Sequence, residues 1–192
     1  MYNIVVFASG GGTTLQAIIN AIENKQLENC KINLVISNSP DAYALERAKN
    51  SQIETYIIQN KKFEEIDNEL DNLLKNYDID LIVLAGYLRK IGPKLIQKYT
   101  IINTHPSLIP KFCGKGMYGM KVHRAVVKAH ETISGATVHY VNENYDEGNI
   151  ISQTTIDVLP SDTADDVAEK VKAAEKIQLI EVIRKLSKNK KA

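Results

Sequence analysis

The sequence has few of the residues that mark several classes of protein. Its 192 residues include only two cysteines, Cys30 and Cys113, whose spacing fits neither a metal site nor a disulfide framework. We therefore expect free thiols and a cytoplasmic protein. No apolar run approaches the roughly 18 residues that a membrane-spanning helix needs. No basic stretch precedes the first apolar run, which disfavours a signal peptide.

The chain also has no marked excess of positive or negative charge. The chain has 24 Lys and Arg residues against 23 Asp and Glu residues, a formal net charge of +1. Such a balance gives no reason to expect nucleic acid or an anionic membrane as a partner. The length is sufficient for one sizeable domain with its own core.

Apolar segments that alternate with amphipathic ones make up most of the chain. The predicted strands are Tyr2–Ala8, Lys31–Ser37, Glu54–Ile58, Asp80–Ala85, Tyr99–Thr104, Ser134–Val141 and Asn149–Val158. Helices between the first five strands predict an α/β fold with a doubly wound, mostly parallel sheet. The short connection between the last two strands predicts an antiparallel hairpin. A long final helix, capped by Ser161 or Thr163, completes one domain over residues 1–192.

Polar groups follow the fifth predicted strand abruptly. Asn103 and His105 are two residues apart, so both side chains point to the same face of extended backbone. Pro106 removes a backbone donor and favours extended geometry at His105. Ligands of open α/β sheets bind at the carboxyl ends of strands. These two residues are therefore the best candidates for a reaction centre. The alternative interpretation is a turn with a capped histidine, which would have the same sequence pattern.

A glycine-rich loop, Ser9–Thr14, lies between the first strand and the first helix. Glycines let the backbone approach a ligand closely, and the helix N-terminus offers free N–H groups to an anion. The dinucleotide fingerprint would need a further glycine where Leu15 stands, and the P-loop lysine is missing. The loop predicts a mononucleotide or sugar-phosphate site, with a tight turn that serves only packing as the alternative.

The segment Gly86–Arg89 follows the fourth predicted strand. Tyr87 and Leu88 could offer apolar surface to a flat ring system, as one wall of a cleft. The alternative interpretation is ordinary loop packing with Arg89 in solvent.

An acidic turn joins the last two predicted strands. Its Asp146 is a residue type that turns favour for conformational reasons alone. A carboxylate beside His105 would nevertheless favour the charged imidazolium and orient the ring. Thr137 and His139 alternate on one face of the preceding strand, and we interpret them as supporting residues in the protein interior.

These motifs occur together, in this order, in one known family. The glycine-rich loop, Leu84–Arg89, Ile102–Pro110, Gly135–Val141 and the turn at Asp146 resemble the folate-dependent formyltransferases. The resemblance extends roughly from Tyr2 to Ile183, and the glycine-rich loop narrows it to members that act on glycinamide ribonucleotide. It implies transfer of a formyl group from 10-formyltetrahydrofolate, as co-substrate, to the amine of that ribonucleotide. It implies no metal.

The resemblance also implies roles for individual residues. The catalytic trio would be Asn103, His105 and Asp146. The phosphate of the ribonucleotide would be bound by Gly11, Gly12, Thr13, Thr14 and Lys172, and the rest of that substrate by Glu175. The folate would be bound by Tyr87, Leu88, Arg89, Ile91, Asn142 and Tyr145. Residues 1–100 would then be mainly the ribonucleotide-phosphate half, and residues 101–192 the catalytic and folate half.

Three other functions are compatible with parts of these motifs. A formyltetrahydrofolate hydrolase usually carries an extra N-terminal domain, and the formyltransferase for methionyl-tRNA carries an extra C-terminal barrel and a basic surface. Because this chain starts at its first strand, ends with one helix and is nearly neutral, we expect neither. A non-catalytic phosphate-binding module would need only the glycine-rich loop. We expect small-molecule substrates and a monomer or homodimer.

Overall fold

Strands and helices alternate along residues 1–190, which the computed structural model describes. The strands are β1 (Tyr2–Phe7), β2 (Cys30–Ser37), β3 (Glu54–Ile57), β4 (Leu81–Leu84), β5 (Ile101–His105), β6 (Ile133–Tyr140) and β7 (Ile150–Asp157). The helices are α1 (Thr13–Glu23), α2 (Tyr43–Asn50), α3 (Phe63–Leu74), α4 (Pro93–Lys98), α5 (Met120–Lys128) and α6 (Ala164–Asn189). All seven predicted strands are present, helices connect the first five of them, and the long final helix is present as well. None of these helices is both long and apolar enough to cross a membrane.

The seven strands hydrogen-bond in the order β3-β2-β1-β4-β5-β6-β7. Strand β1 pairs in parallel with β2 and β4, and β2 pairs in parallel with β3. Strands β6 and β7 are antiparallel. The predicted doubly wound, mostly parallel sheet with an antiparallel C-terminal hairpin is confirmed.

One compact unit comprises Met1–Ile102 together with the chain from Ile183 onward. Its central strand is β1, where Ile4, Val5 and Val6 have no exposed surface. An uninterrupted apolar run suits this strand, because a strand in the middle of a parallel sheet is covered on both faces. The carboxyl ends of β1, β2 and β4 lead into the polar segments at Ser9, Asn38 and Gly86.

The second compact unit comprises Asn103–Val182. Its core is a cluster of small apolar side chains from α5, β6 and α6, with Val126, Ala136 and Val167 among them. Helix α6 starts at a capping box, in which Thr163 Oγ1 accepts from Asp166 N at 3.2 Å and Asp166 Oδ2 accepts from Thr163 N at 2.8 Å. Of the two caps that the sequence predicts, Ser161 and Thr163, the structure shows Thr163.

Gly135 of β6 lies directly beside the backbone of β7. A Cβ atom at this position would lie 1.9 Å from the carbonyl oxygen of Thr154 and 2.9 Å from Leu108 Cδ2. Because the first of these atoms belongs to the backbone, Gly135→Ala must displace β7, and we expect a loss of about 1–3 kcal/mol in the free energy of unfolding. Urea unfolding measures this loss. The control is Ser134→Ala, which removes a buried hydroxyl with no hydrogen-bond partner among the described residues and should not destabilise. Equal stability of Gly135→Ala and wild type would contradict the prediction.

Candidate active site

The glycine-rich loop forms the N-terminal end of α1. Gly12 is the residue before the helix and has left-handed backbone angles, φ 68° and ψ 27°. A Cβ atom there would lie 2.7 Å from both Cα and Cβ of Ala44. Only glycine meets both demands. The predicted phosphate-binding residues Gly11, Gly12, Thr13 and Thr14 thus lie at a helix N-terminus, where backbone N–H groups and the helix dipole favour an anion.

Ser9 connects this loop to the ends of two neighbouring strands. Its hydroxyl donates to Asn38 Oδ1 at 2.5 Å and accepts from the backbone N–H of Leu88 at 2.9 Å. The Ser9 N–H also donates to the Gly86 carbonyl at 3.1 Å. One small side chain therefore fixes the segment after β1, the segment after β2 and the predicted folate-binding segment after β4.

The predicted folate-binding residues of the segment after β4 differ in exposure. Tyr87 is buried and packs edge-on against Phe7, with ring centroids 5.2 Å apart, and burial raises its pKa to about 12. Ile91 is buried as well, whereas Leu88 is 59% exposed. Arg89 is half-buried. Leu88 is thus the exposed apolar side chain of this segment, and Tyr87 and Ile91 belong to the core.

Four side chains of the second unit converge at the end of β5. The Nδ1 atom of His105 lies 3.5 Å from Asp146 Oδ2, and Asp146 Oδ1 lies 3.6 Å from His139 Nε2. The side-chain nitrogen of Asn103 lies 3.1 Å from the same His139 Nε2. The structure therefore brings Asn103, His105 and Asp146 together as the sequence predicts, with His139 in contact with two of them.

Hydrogen-bond partners identify one protonated nitrogen in each of the two imidazoles. His139 Nδ1 lies 2.8 Å from the Tyr140 carbonyl, which can only accept, so this nitrogen carries a proton. In the neutral ring, His139 Nε2 then accepts from the Asn103 amide, and the second N–H of that amide remains for another acceptor. His105 Nε2 likewise donates to the Phe112 carbonyl at 2.9 Å. In the neutral ring, the lone pair of His105 Nδ1 faces Asp146.

Burial and charge act in opposite directions on this pair. Burial lowers the pKa of His105, and the Asp146 carboxylate only partly opposes this effect. Asp146 does favour the charged imidazolium, as expected from the sequence, but removal of the ring from water has the larger effect on the pKa of His105. Burial alone would raise the pKa of Asp146, but His139, His105 and the Gly114 N–H together lower it. The resting site thus combines an ionised Asp146 with a neutral His105.

Thr137 supports the loop that follows His105. Its hydroxyl donates to the Ser107 carbonyl at 2.6 Å and accepts from the Ile109 N–H at 3.1 Å. Ser107 Oγ in turn donates to the Lys111 carbonyl at 2.6 Å. Both Thr137 and Ser107 are completely buried. Thr137 therefore acts on the backbone beside His105, as expected of a supporting residue.

The remaining predicted binding residues lie on two elements of the second unit. In the loop between β6 and β7, Asn142 is exposed and Tyr145 is 44% exposed. On α6, Lys172 is exposed and pairs with Glu169 at 2.9 Å, and Glu175 is half-buried. Over residues 1–190, no three or more His, Cys, Asp or Glu side chains are grouped as a metal ion would require.

Comparison with known proteins identifies the family. The model of the Formyl transferase family matches residues 2–183. The chain belongs to the formyl transferase family. A curated relative from Haemophilus influenzae, phosphoribosylglycinamide formyltransferase, is 38% identical over 180 residues, which are 91% of this chain and 82% of the relative. The chloroplastic phosphoribosylglycinamide formyltransferase of Arabidopsis thaliana is 36% identical over 94% of this chain, which spans only 63% of that relative.

A solved structure in the formyl transferase family supports the same assignment. Phosphoribosylglycinamide formyltransferase from Bacillus halodurans has a TM-score of 0.90 and 33% identity, over 98% of this chain and 97% of that one. The resemblance to the folate-dependent formyltransferases that the sequence motifs indicate is therefore confirmed at the level of family and fold.

Sequence motifs did not indicate the backbone groups that contact the trio. The Phe112 carbonyl accepts from His105, and the Gly114 N–H donates to Asp146 Oδ2 at 2.8 Å. Both belong to the long loop between β5 and α5. No pattern of side chains encodes a backbone contact, so the sequence carried no signal for them.

His123 is a further buried imidazole of this unit, and its Nδ1 has no hydrogen-bond partner among the described residues.

The stability of the fold should fall in mild acid because His105 has a lowered pKa. Above about pH 6.5 the ring is neutral in both the folded and the unfolded chain, so it adds nothing to the pH dependence of the free energy of unfolding. Below that value the unfolded chain takes up a proton that the buried ring resists, so the free energy of unfolding falls. Burial also lowers the pKa of His123, so His123 adds to the loss of stability over the same pH range. The lowered pKa of Asp146 reduces stability only below pH 3.8, the ordinary pKa of this carboxyl.

Urea unfolding between about pH 7.5 and pH 5.5 tests this prediction. Wild type should lose stability over the interval, and His105→Asn should lose less, because one resisting group is gone. His130→Asn is the control, since His130 lies at the end of α5 and is exposed. Identical slopes for His105→Asn and wild type would contradict the proposed burial effect.

Proposed function

We propose that this protein transfers the formyl group of 10-formyltetrahydrofolate to the amine of glycinamide ribonucleotide. The observation that carries the proposal is the contact of an ionised Asp146 with His105, beside an Asn103 amide that has an N–H to spare. Acyl transfer to an amine requires a proton acceptor and a donor for the developing negative oxygen, and this set offers both. The names of the relatives supply the substrate class.

The reaction begins with attack of the unprotonated amine on the formyl carbon. A new carbon–nitrogen bond forms, and the carbonyl oxygen takes up the negative charge of a tetrahedral intermediate. Asp146 accepts the proton that the attacking nitrogen loses. Because His105 Nδ1 lies 3.5 Å from Asp146 Oδ2, the proton can be shared with the ring, which becomes an imidazolium when the intermediate forms.

Two donors then stabilise the intermediate. The free N–H of the Asn103 amide donates to the oxygen, and the charged His105 ring adds a second hydrogen bond once Nε2 leaves the Phe112 carbonyl. A donor of this kind is commonly worth about a hundredfold to a thousandfold in turnover. The intermediate collapses when the bond from carbon to N10 of the folate breaks and N10 takes up the proton. No residue becomes acylated in this sequence.

Substrate binding is assigned to two groups of residues. The N–H groups of Gly11, Gly12, Thr13 and Thr14 bind the ribonucleotide phosphate, with Lys172, and Glu175 binds the remainder of that substrate. The folate is bound by Tyr87, Leu88, Arg89, Ile91, Asn142 and Tyr145. The exposed Leu88 supports this assignment, because flat aromatic ligands bind to apolar surface. We further propose that the protein acts in the cytoplasm.

An assay with three reaction mixtures tests the proposal. The protein is incubated with 10-formyltetrahydrofolate alone, with added glycinamide ribonucleotide, and with added glycine in place of the ribonucleotide. We expect folate absorbance to change only when the ribonucleotide is present. A change with the folate alone would indicate a hydrolase, and no change in any mixture would indicate a non-catalytic phosphate-binding module. Either result would overturn the proposal.

A further inference from the structure

Helix α2 lies directly against the glycine-rich loop and holds two of its carbonyl groups. The backbone N–H of Ala44 donates to the Gly10 carbonyl at 3.0 Å. The Nε atom of Arg47, one turn further along α2, donates to the Gly11 carbonyl at 2.8 Å. Two successive peptide groups of the loop are therefore fixed from the same helix.

The orientation of these peptides determines where their N–H groups point. In a trans peptide the C=O and N–H bonds point in opposite directions. The Gly10 carbonyl shares its peptide with the Gly11 N–H, and the Gly11 carbonyl shares its peptide with the Gly12 N–H. Because α2 binds both carbonyls, the N–H groups of Gly11 and Gly12 point away from α2. These are two of the N–H groups assigned above to the phosphate.

Arg47 is itself held in place by two further contacts. Its Nη1 donates to Gln16 Oε1 at 3.1 Å, and its guanidinium carbon lies 4.9 Å from the centre of the Tyr43 ring. The contact with Gln16 also links α2 to the first turn of α1. A guanidinium is suited to this task, because its planar fork can make hydrogen bonds in two directions and stack on an aromatic ring.

We infer that Arg47 is a positioning residue for binding of the substrate phosphate, since it holds the Gly11–Gly12 peptide with its N–H group turned away from α2. The inference rests on the proposed function for the identity of the substrate. The loop has no lysine of its own between Ser9 and Thr14, so within the loop an anion depends on correctly oriented N–H groups. Binding of phosphate should depend on this side chain, whereas binding of the folate should not.

Binding of inorganic phosphate to the full chain, measured by titration calorimetry, tests the inference without need of turnover. Arg47→Ala should weaken phosphate binding by roughly tenfold or more, the scale of one charge-assisted hydrogen bond. Arg47→Lys should remain weakened, because an ammonium keeps the charge but not the fork. Lys49→Ala is the matched control, since it removes a cation from the same helix. In the described part of the chain, the Lys49 ammonium pairs only with Glu46. It should bind phosphate as wild type does.

Kinetics with both substrates give the second readout. Arg47→Ala should raise KM for glycinamide ribonucleotide by the same factor as for phosphate, with KM for 10-formyltetrahydrofolate and kcat unchanged. The inference would be overturned if Arg47→Ala bound phosphate as tightly as wild type, or if Arg47→Lys restored binding in full. It would also be overturned if Lys49→Ala lost as much binding as Arg47→Ala, or if wild type did not bind phosphate. If phosphate binding depends on Arg47 but the ribonucleotide is not formylated, the inference holds and the proposed function fails.

Discussion

Replacement of Asp146 by Asn is expected to lower kcat by about a hundredfold to ten-thousandfold, the contribution usual for a positioned general base. The carboxylate is ionised in the resting site, and it is the acceptor assigned to the proton of the attacking amine. The fold should persist in this variant. Asn tolerates the left-handed backbone at position 146, where φ is 57°, and its side-chain oxygen can still accept from the Gly114 N–H.

Steady-state kinetics and the thermal unfolding midpoint, measured together, test this expectation. Glu147→Gln is the matched control, because it neutralises the next carboxylate of the same exposed loop. It should leave kcat unchanged. The pKa of His105 should also fall further in Asp146→Asn, since the carboxylate is the group that raises it. A variant with near wild-type kcat at an unchanged His105 pKa would show that Asp146 is not the base.

Replacement of Asn103 by Ala should lower kcat by about a hundredfold to a thousandfold, because it removes a donor to the oxygen of the intermediate. The effect on stability should be small by comparison. Within residues 1–190 the amide has one hydrogen bond, to His139 Nε2, and a typical bond of this kind contributes about 1 kcal/mol to folding. His139 Nε2 would remain close to Asp146 in the variant.

The variant Asn103→Asp separates the donor from the shape of the side chain. Aspartate has nearly the same volume but no N–H, so its kcat should be as low as that of Asn103→Ala. Asn76→Ala, at an exposed asparagine after α3, controls for loss of an amide and should be unaffected. High turnover by Asn103→Asp would show that the amide does not donate to the intermediate.

The order of the elements and the candidate pair Asn103 and His105 followed from local patterns. The apolar run of β1 and the two-residue spacing of Asn103 and His105 need only the periodicity of a strand. Strand β5 ends at His105, so the polar groups lie where the strand stops. Asp146 was assigned through the family resemblance, and the structure places its carboxylate next to both histidines.

The electrostatics of the site required the tertiary structure. Asp146 favours a charged His105, as the sequence suggested, but the ring is only 4% exposed, and burial has the larger effect on its pKa. The Arg47 contact with the Gly11 carbonyl was not predicted, because it joins residues 36 positions apart through a backbone atom. Such contacts depend on how helices pack, which neither periodicity nor composition specifies.

The fate of a labelled formyl group tests formyl transfer by this site most directly. A single turnover is run with 10-formyltetrahydrofolate that carries carbon-13 in its formyl group, with excess protein and glycinamide ribonucleotide, and all products are examined by mass spectrometry. The label should appear in the N-formyl group of the ribonucleotide with wild type, and far more slowly with Asp146→Asn. Label released as formate, or retained on the protein, would contradict direct transfer to the amine.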